Sequence, residues 1–196
     1  MDNTPPTDIT LSKRSTSSQS ITLNFDAFDV MSKKYSDVNP DVGRKGIKQF
    51  TLALKDQNDN IVASSTSLGT EPSWHKAVGN SNVQPNTTYT AFVTVTDLAG
   101  NSTTSTGLNV TTAPRAPHNL EAASQNHCSV TLTWDASPGA TSYKVCNTTV
   151  NLSDVRTTTS TAYTFTGLSA NTTYAFYVMA VGPAGESDRS NINGTT

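Results

Sequence analysis

Side chains that could carry out catalysis are few in this sequence, and they lie far apart. The three histidines, His75, His118 and His127, do not stand at a spacing that a pair of metal ligands would need. The sequence has no glycine-rich phosphate loop and no signature of a serine nucleophile with its histidine and acid. Because catalysis needs a positioned acid, base or nucleophile, we expect a protein that is not an enzyme and that uses no cofactor.

The nearest approach to a metal site is a run of alternating oxygen ligands at Asp37, Asn39 and Asp41. Calcium loops use such an alternation, but an EF-hand also needs a glycine at its sixth position and a glutamate at its twelfth. Both are missing here. We therefore predict no metal site and interpret the run as a turn rich in Asp and Asn, with calcium as the less favoured alternative.

The two cysteines, Cys128 and Cys146, lie in the second half of the chain. Strand alternation places Cys128 on one face with Val130 and Leu132, and it places Cys146 on the face opposite Val145. A disulfide needs the two Cβ atoms to point towards each other. The pattern therefore favours two free thiols over a bridge.

A long segment between two predicted strands, residues 27–46, holds the side chains best suited to contact a partner. Long loops on rigid scaffolds often carry function. Two interpretations stay open: the loop contacts a partner, or it packs on its own domain with Phe28 or Met31 at the domain end. The predicted binding residues are the aromatic and basic side chains of this loop and one later tryptophan: Phe28, Lys33, Lys34, Tyr35, Arg44, Lys45 and Trp74.

The elements that would carry these residues are β-strands. Hydrophobic residues make up 34% of the chain, and the polar remainder is rich in Thr, Ser and Asn, which suits strands with one buried and one wet face. Alternation predicts an all-β protein with seven short strands in each half, at about 7–12, 20–26, 49–55, 60–65, 74–78, 89–96 and 104–111, and at 119–123, 129–134, 142–147, 154–158, 162–166, 174–181 and 190–195.

The two halves are copies of one unit. The sequence VQPNTTY at 83–89 recurs as LSANTTY at 168–174, a shift of 85 residues. Residues 21–25 pair with 130–134 at a shift of 109, so the first copy carries about 24 extra residues between the two blocks. Most of them fall in the long loop at 27–46.

The repeated blocks resemble the fibronectin type III family. In each block an apolar residue and a short turn precede Thr and then Tyr, and the Tyr opens a strand. This pattern is similar to the family's tyrosine corner, which implies structural roles for Tyr89 and Tyr174. Trp134 resembles the tryptophan of the second strand, and Phe25 stands at that position in the first copy. The second copy resembles the family along its whole length, whereas the first also resembles bacterial immunoglobulin-like repeats.

This resemblance implies two tandem immunoglobulin-like or fibronectin type III β-sandwiches joined by a short linker that contains proline. We predict a first domain at 1–112, a linker at 113–117 and a second domain at 118–196. The net charge of −2 argues against a large basic surface for nucleic acid. The sequence also contains no run of 18 apolar residues that would insert in a membrane.

Three functions fit these features. Since the N-terminus shows no export signal, we favour an accessory protein of a tailed-phage virion, as a decoration, tail or fibre component on the virion surface. Its partners would be other capsid or tail proteins and host-surface glycans. The alternative is a set of spacer or adhesion modules in a secreted bacterial surface protein or glycan-active enzyme, located outside the cell. The third is a carbohydrate-binding protein that acts alone.

Overall fold

The computed structural model describes residues 3–29, 46–69, 74–151 and 153–196. The chain divides into two compact units, Met1–Thr111 and Thr112–Thr196. The described residues form strands joined by turns, and none of them belongs to a helix long and apolar enough to cross a membrane.

The first domain is a sandwich of two antiparallel sheets. One sheet has the order β1–β2–β5. The other has the order β4–β3–β6–β7, and β8 also pairs with β6. The strands of this domain are β1 (Thr7–Thr16), β2 (Ser20–Phe28), β3 (Ile47–Lys55), β4 (Ile61–Leu68), β5 (His75–Gly79), β6 (Thr88–Asp97), β7 (Ser102–Thr104) and β8 (Leu108–Thr111).

The core of the first domain lies between these sheets, because apolar residues alternate with polar ones along each central strand. Every second residue of β2 and of β6 is buried, and Phe50, Leu52 and Leu54 of β3 fill the space between them. Complete burial of one such side chain contributes roughly 1.5–3 kcal/mol to stability. The β2 and β6 side chains of this core are Ile21, Leu23, Phe25, Ala27, Tyr89, Ala91, Val93 and Val95.

The second domain repeats this topology. Its sheets have the orders β9–β10–β13 and β12–β11–β14–β15, and β16 also pairs with β14. Its core includes Val130, Leu132, Tyr143, Phe176 and Val178. The strands are β9 (Glu121–Asn126), β10 (Ser129–Thr133), β11 (Ser142–Asn147), β12 (Val155–Thr158), β13 (Ala162–Thr166), β14 (Thr173–Gly182), β15 (Gly185–Glu186) and β16 (Ser190–Thr195).

Two hairpin turns of the first domain share one side-chain clamp. After β3, both carboxylate oxygens of Asp56 accept hydrogen bonds from Asn60, one from its backbone N–H and one from its side-chain amide, at 2.9 and 3.2 Å. After β6, Asp97 accepts the same two bonds from Asn101 at 2.8 and 2.9 Å. An Asp followed four residues later by an Asn therefore closes both turns.

Candidate binding surfaces and structural sites

The predicted binding loop is only partly within the described residues. Phe28 was expected in a loop, but it is the last residue of β2, pairs with Thr7 of β1 and is half-buried. The alternation of β2 simply continues for two residues beyond the predicted end. Its role in binding stays a prediction. The predicted binding residues that lie outside the described part of the chain are Lys33, Lys34, Tyr35, Arg44 and Lys45.

The two described residues that flank this segment pack against each other. Asp29 is buried, and Gly46 lies so close to it that a methyl group on the Gly46 Cα would collide with the Asp29 carboxylate. The carbonyl oxygen of Gly46 also accepts a hydrogen bond from the backbone N–H of Leu98, in the turn after β6, at 2.9 Å. Asp29 and Gly46 therefore meet at the pole of the first domain where β2 ends.

The calcium candidates Asp37, Asn39 and Asp41 also fall outside the described residues. Within the described ranges, no three His, Cys, Asp or Glu side chains are placed to hold a metal ion together.

Trp74 belongs to an aromatic cluster in the first domain. Its ring packs edge-on against Phe50 with centroids 4.5 Å apart, and it lies 6.2 Å from Phe25. Phe25 and Phe50 are themselves 4.8 Å apart and buried. The structure thus gives Trp74 a packing role that the sequence did not predict. Its proposed role in binding a partner stays a prediction.

Both domains contain the tyrosine corner that the repeated sequence suggested. The Tyr89 hydroxyl accepts a hydrogen bond from the backbone N–H of Gln84 at 2.8 Å, and the Tyr174 hydroxyl accepts one from Ser169 at the same distance. In each turn an Asn, Asn86 or Asn171, adopts a left-handed backbone with a φ of 48° or 51°. Asn tolerates this conformation better than most residues, which explains why it recurs at the repeat position.

Trp134 follows β10 directly and packs inside the second domain. Its ring meets that of Tyr143 edge-on at 5.3 Å, and both side chains are about 5% exposed. The Tyr143 hydroxyl accepts a hydrogen bond from the backbone N–H of Ser137 at 2.9 Å. Phe25 of the first domain stands where Trp134 stands in the repeat and is likewise buried. These aromatic residues form the core and are not an open binding platform.

Neither thiol is in a disulfide, and the two differ in environment. Cys146 is buried on the outer side of β11, and its Sγ donates to the carbonyl oxygen of Asn151 at 3.4 Å. Cys128 is exposed in the turn before β10, where it was expected on the buried face with Val130. Alternation failed there because the β9–β10 hairpin turn includes Cys128, and turn residues do not follow the strand period.

A row of hydroxyl groups crosses the outer face of the larger sheet of the first domain. Thr66, Thr51, Thr94 and Thr104 lie directly opposite one another on β4, β3, β6 and β7. The Oγ1 atoms of Thr51 and Thr66 are 3.3 Å apart, and those of Thr94 and Thr104 are 2.9 Å apart. Cross-strand Thr pairs of this kind stabilise a sheet and leave its surface polar but uncharged.

The two-sheet topology and the corner tyrosines define the immunoglobulin-like class of β-sandwich. Within that class, residues 115–193 match the model of the fibronectin type III domain family. The second domain of the chain belongs to this family. The first domain repeats its strand order and its corner.

The relatives of the chain are long proteins that are named as enzymes. Chitinase A1 of Niallia circulans is 35% identical over 154 residues, which is 69% of this chain and 22% of the chitinase. Exoglucanase A of Cellulomonas fimi is 43% identical over 105 residues, 45% of this chain and 12% of that protein. Poly(3-hydroxybutyrate) depolymerase of Ralstonia pickettii is 46% identical over 79 residues, 40% of this chain and 16% of the depolymerase. The chain thus spans less than a quarter of each of these relatives.

Proposed function

We propose that this chain is a pair of non-catalytic modules from a bacterial protein that degrades or adheres to a polymer outside the cell. The observation that carries this proposal is the variety of the relatives. Over 154, 105 and 79 residues, respectively, this chain is similar to parts of a chitinase, an exoglucanase and a polyester depolymerase.

Three enzymes named for different reactions do not share an active site. Hydrolysis of a glycosidic bond in chitin or glucan and hydrolysis of an ester bond in poly(3-hydroxybutyrate) need different constellations of catalytic groups. Because the matched stretches fill less than a quarter of each relative, we interpret them as accessory elements. What the three named activities have in common is a polymeric substrate.

The architecture suits an accessory element. Each domain has its own core, and rigid hydrogen-bonded corners at Tyr89 and Tyr174 fix the entry of a central strand. Independent cores allow each domain to fold without the rest of a longer chain. Such domains can set a distance between a catalytic unit and its polymer, or add weak contacts of their own.

These relatives favour the modular interpretation over the virion interpretation suggested by the N-terminal sequence. The extracellular location follows from the same proposal, since an enzyme for an insoluble polysaccharide meets its substrate outside the cell. Capsid or tail proteins as partners would belong to the virion hypothesis alone.

The test is the gene locus of this sequence. Sequencing through both flanks should reveal one reading frame that continues into a hydrolase domain or a surface-attachment segment. Assay of the 196-residue chain on chitin, cellulose and poly(3-hydroxybutyrate) should give no hydrolysis. A reading frame limited to these residues and flanked by capsid or tail genes would overturn the proposal in favour of the virion hypothesis.

A further inference from the structure

A groove of about 330 Å³ opens at one pole of the second domain. Its walls come from the connection between β11 and β12 and from β13 with the residues that follow it. The backbone N–H of Leu168 donates to the carbonyl oxygen of Cys128 at 3.0 Å, so this is the pole where β10 begins.

The floor of the groove is aromatic. Tyr163 and Phe165 lie in β13 and face the core with their rings edge-on at 4.8 Å. Both are only half-buried, because β12 and β13 stand at the ends of their sheets in the described structure and no neighbouring strand covers the rings. An apolar ring surface is therefore accessible from the groove.

One wall of the groove holds an amide whose nitrogen finds no acceptor among the described residues. Asn147 is 7% exposed, and its Oδ1 accepts hydrogen bonds from the backbone N–H groups of Thr149 and Val150 at 3.1 and 3.3 Å. These two bonds determine the orientation of the Asn147 amide, because only its oxygen can accept them. Among the described residues, Nδ2 of Asn147 donates to no acceptor, although the residue lines the groove.

The rim carries an ion pair of zero net charge. Arg156 donates to Asp154 Oδ2 at 2.8 Å, and both side chains are about half exposed. The hydrogen bond and the negative charge of Asp154 raise the pKa of Arg156 above its usual value. The pair can both donate to and accept from a ligand hydroxyl, and its zero net charge gives no net attraction to a charged ligand.

We propose that this groove binds one uncharged hexose unit of a polysaccharide. A pyranose ring has an apolar face of C–H groups, which fits the rings of Tyr163 and Phe165, and it has hydroxyl groups at its edge for Asn147 Nδ2 and for the ion pair. The volume lies in the range of small-molecule sites, and the polar lining around the two rings suits a ligand that carries many hydroxyl groups. The choice of polysaccharide rests on the proposed function.

The first domain contains a groove of about 290 Å³ at the equivalent pole, and it provides an internal comparison. Asp56, Asn58, Asn82 and Gln84 contribute polar groups to that groove. Tyr89, the aromatic residue among its lining residues, already uses its hydroxyl in the corner hydrogen bond. Without a pair of accessible rings this groove should not hold a sugar, so binding should map to the second domain.

The experiment is a titration of the full 15N-labelled chain with cellohexaose and, separately, with chitohexaose, followed by amide and side-chain NMR signals. We expect saturable shifts at residues 147–156 and 163–168, including the Asn147 side-chain amide, with at least one of the two sugars. The double variant D154N/R156Q should weaken binding by about tenfold, since it removes charge-assisted hydrogen bonds. N147D, which keeps the turn-closing oxygen but loses the donor, should also weaken it.

The matched control is K55Q/D59N, which removes an exposed Lys–Asp pair from the first domain. It should leave the affinity unchanged. The proposal is overturned if neither sugar shifts these signals, or if the shifts persist unchanged in D154N/R156Q and N147D. It is also overturned if an unstructured peptide that pairs with β12 or β13 shifts the same signals and the sugars do not. The gene locus would still decide the proposed function independently.

Discussion

Phe92 and Tyr177 occupy the same position in the two domains, 85 residues apart, and each ring lies beneath a cation. Both face outward from the strand that carries the corner tyrosine. The Nζ of Lys55 lies 5.1 Å from the centroid of Phe92, and the guanidinium of Arg189 lies 4.3 Å from that of Tyr177. Lys55 is the last residue of β3, whereas Arg189 directly precedes β16, so the two domains reach the same arrangement from different elements.

This arrangement predicts a larger effect from Arg189 than from Lys55. Tyr177 is 3% exposed and Phe92 is only half-buried, so removal of the Arg189 side chain uncovers more ring surface. R189A should destabilise the second domain by about 1–2 kcal/mol, and K55A should destabilise the first by about 0.5 kcal/mol. Urea unfolding followed by the indole N–H signals of Trp74 and Trp134 reports each domain separately. Equal effects would contradict this assignment.

The corner hydrogen bonds give a second prediction. Y174F should destabilise the second domain by about 1–2 kcal/mol, because the backbone N–H of Ser169 loses its acceptor. Y89F should have the same effect on the first domain through Gln84. The same urea experiment measures both changes.

Y163F is the matched control for the corner. It also removes a tyrosine hydroxyl from the second domain, but from a half-buried side chain in β13 that is not part of the corner turn. The free energy of unfolding of the second domain in Y163F should stay within about 0.5 kcal/mol of that in the original chain. If Y174F and Y163F behave alike, the corner bond contributes little to stability.

The clamp at Asp97 predicts a specific acid sensitivity. Burial raises the pKa of this carboxyl, but hydrogen bonds from Asn101, Gly100 and Ala99 outweigh burial and hold it below its usual 3.8. A lowered folded pKa means that the stabilisation is complete above pH 3.8 and is lost as the pH falls through the folded value. D97N should cost about 2 kcal/mol at pH 7, and the difference from the original chain should shrink below pH 3.8.

Asp56 provides the comparison for this clamp. It makes the same two bonds to Asn60, which together with Asn58 lower its pKa, but it is more exposed than Asp97, which is completely buried. D56N should therefore lower the thermal midpoint of the first domain less than D97N does. A larger loss from D56N would show that burial does not set the strength of these clamps.

The thiols should react in two separate steps. Cys128 is exposed and Cys146 is completely buried. A thiol reagent such as DTNB should modify one thiol per chain in buffer and both in concentrated urea. C128S should abolish the reaction in buffer, while C146S should leave it intact. Rapid modification of both thiols in the folded chain would contradict the burial of Cys146.

The sequence predicted the strands well where polar and apolar residues alternate without interruption. Residues 142–147, 162–166 and 190–195 were predicted to the residue, because each is half-buried and bounded by turns. The predicted strand at 104–111 is two strands, β7 and β8, since residues 105–107 leave the pairing between them. Alternation cannot show such a break when the residues in it are polar and small.

Side chains brought together from distant parts of the chain were harder to predict. Trp74 joins Phe25 and Phe50 through the contact of two sheets, and no local pattern signals that contact. The groove of the second domain combines Asn147, Arg156 and Tyr163, which are separated by up to 16 residues. Asn147 ends β11, and Arg156 and Tyr163 lie in β12 and β13, the strands at the ends of the two sheets. Periodicity identifies the face of a strand but not its neighbours across the sandwich.

The most direct test of the proposed function is the size and location of the native gene product. An antibody raised against the 196-residue chain should detect, in the organism that encodes it, a protein much larger than 20.8 kDa in the culture medium or on the cell surface. That result would identify the two domains as modules of a longer extracellular protein. A product of 20.8 kDa that sediments with phage particles would contradict this account.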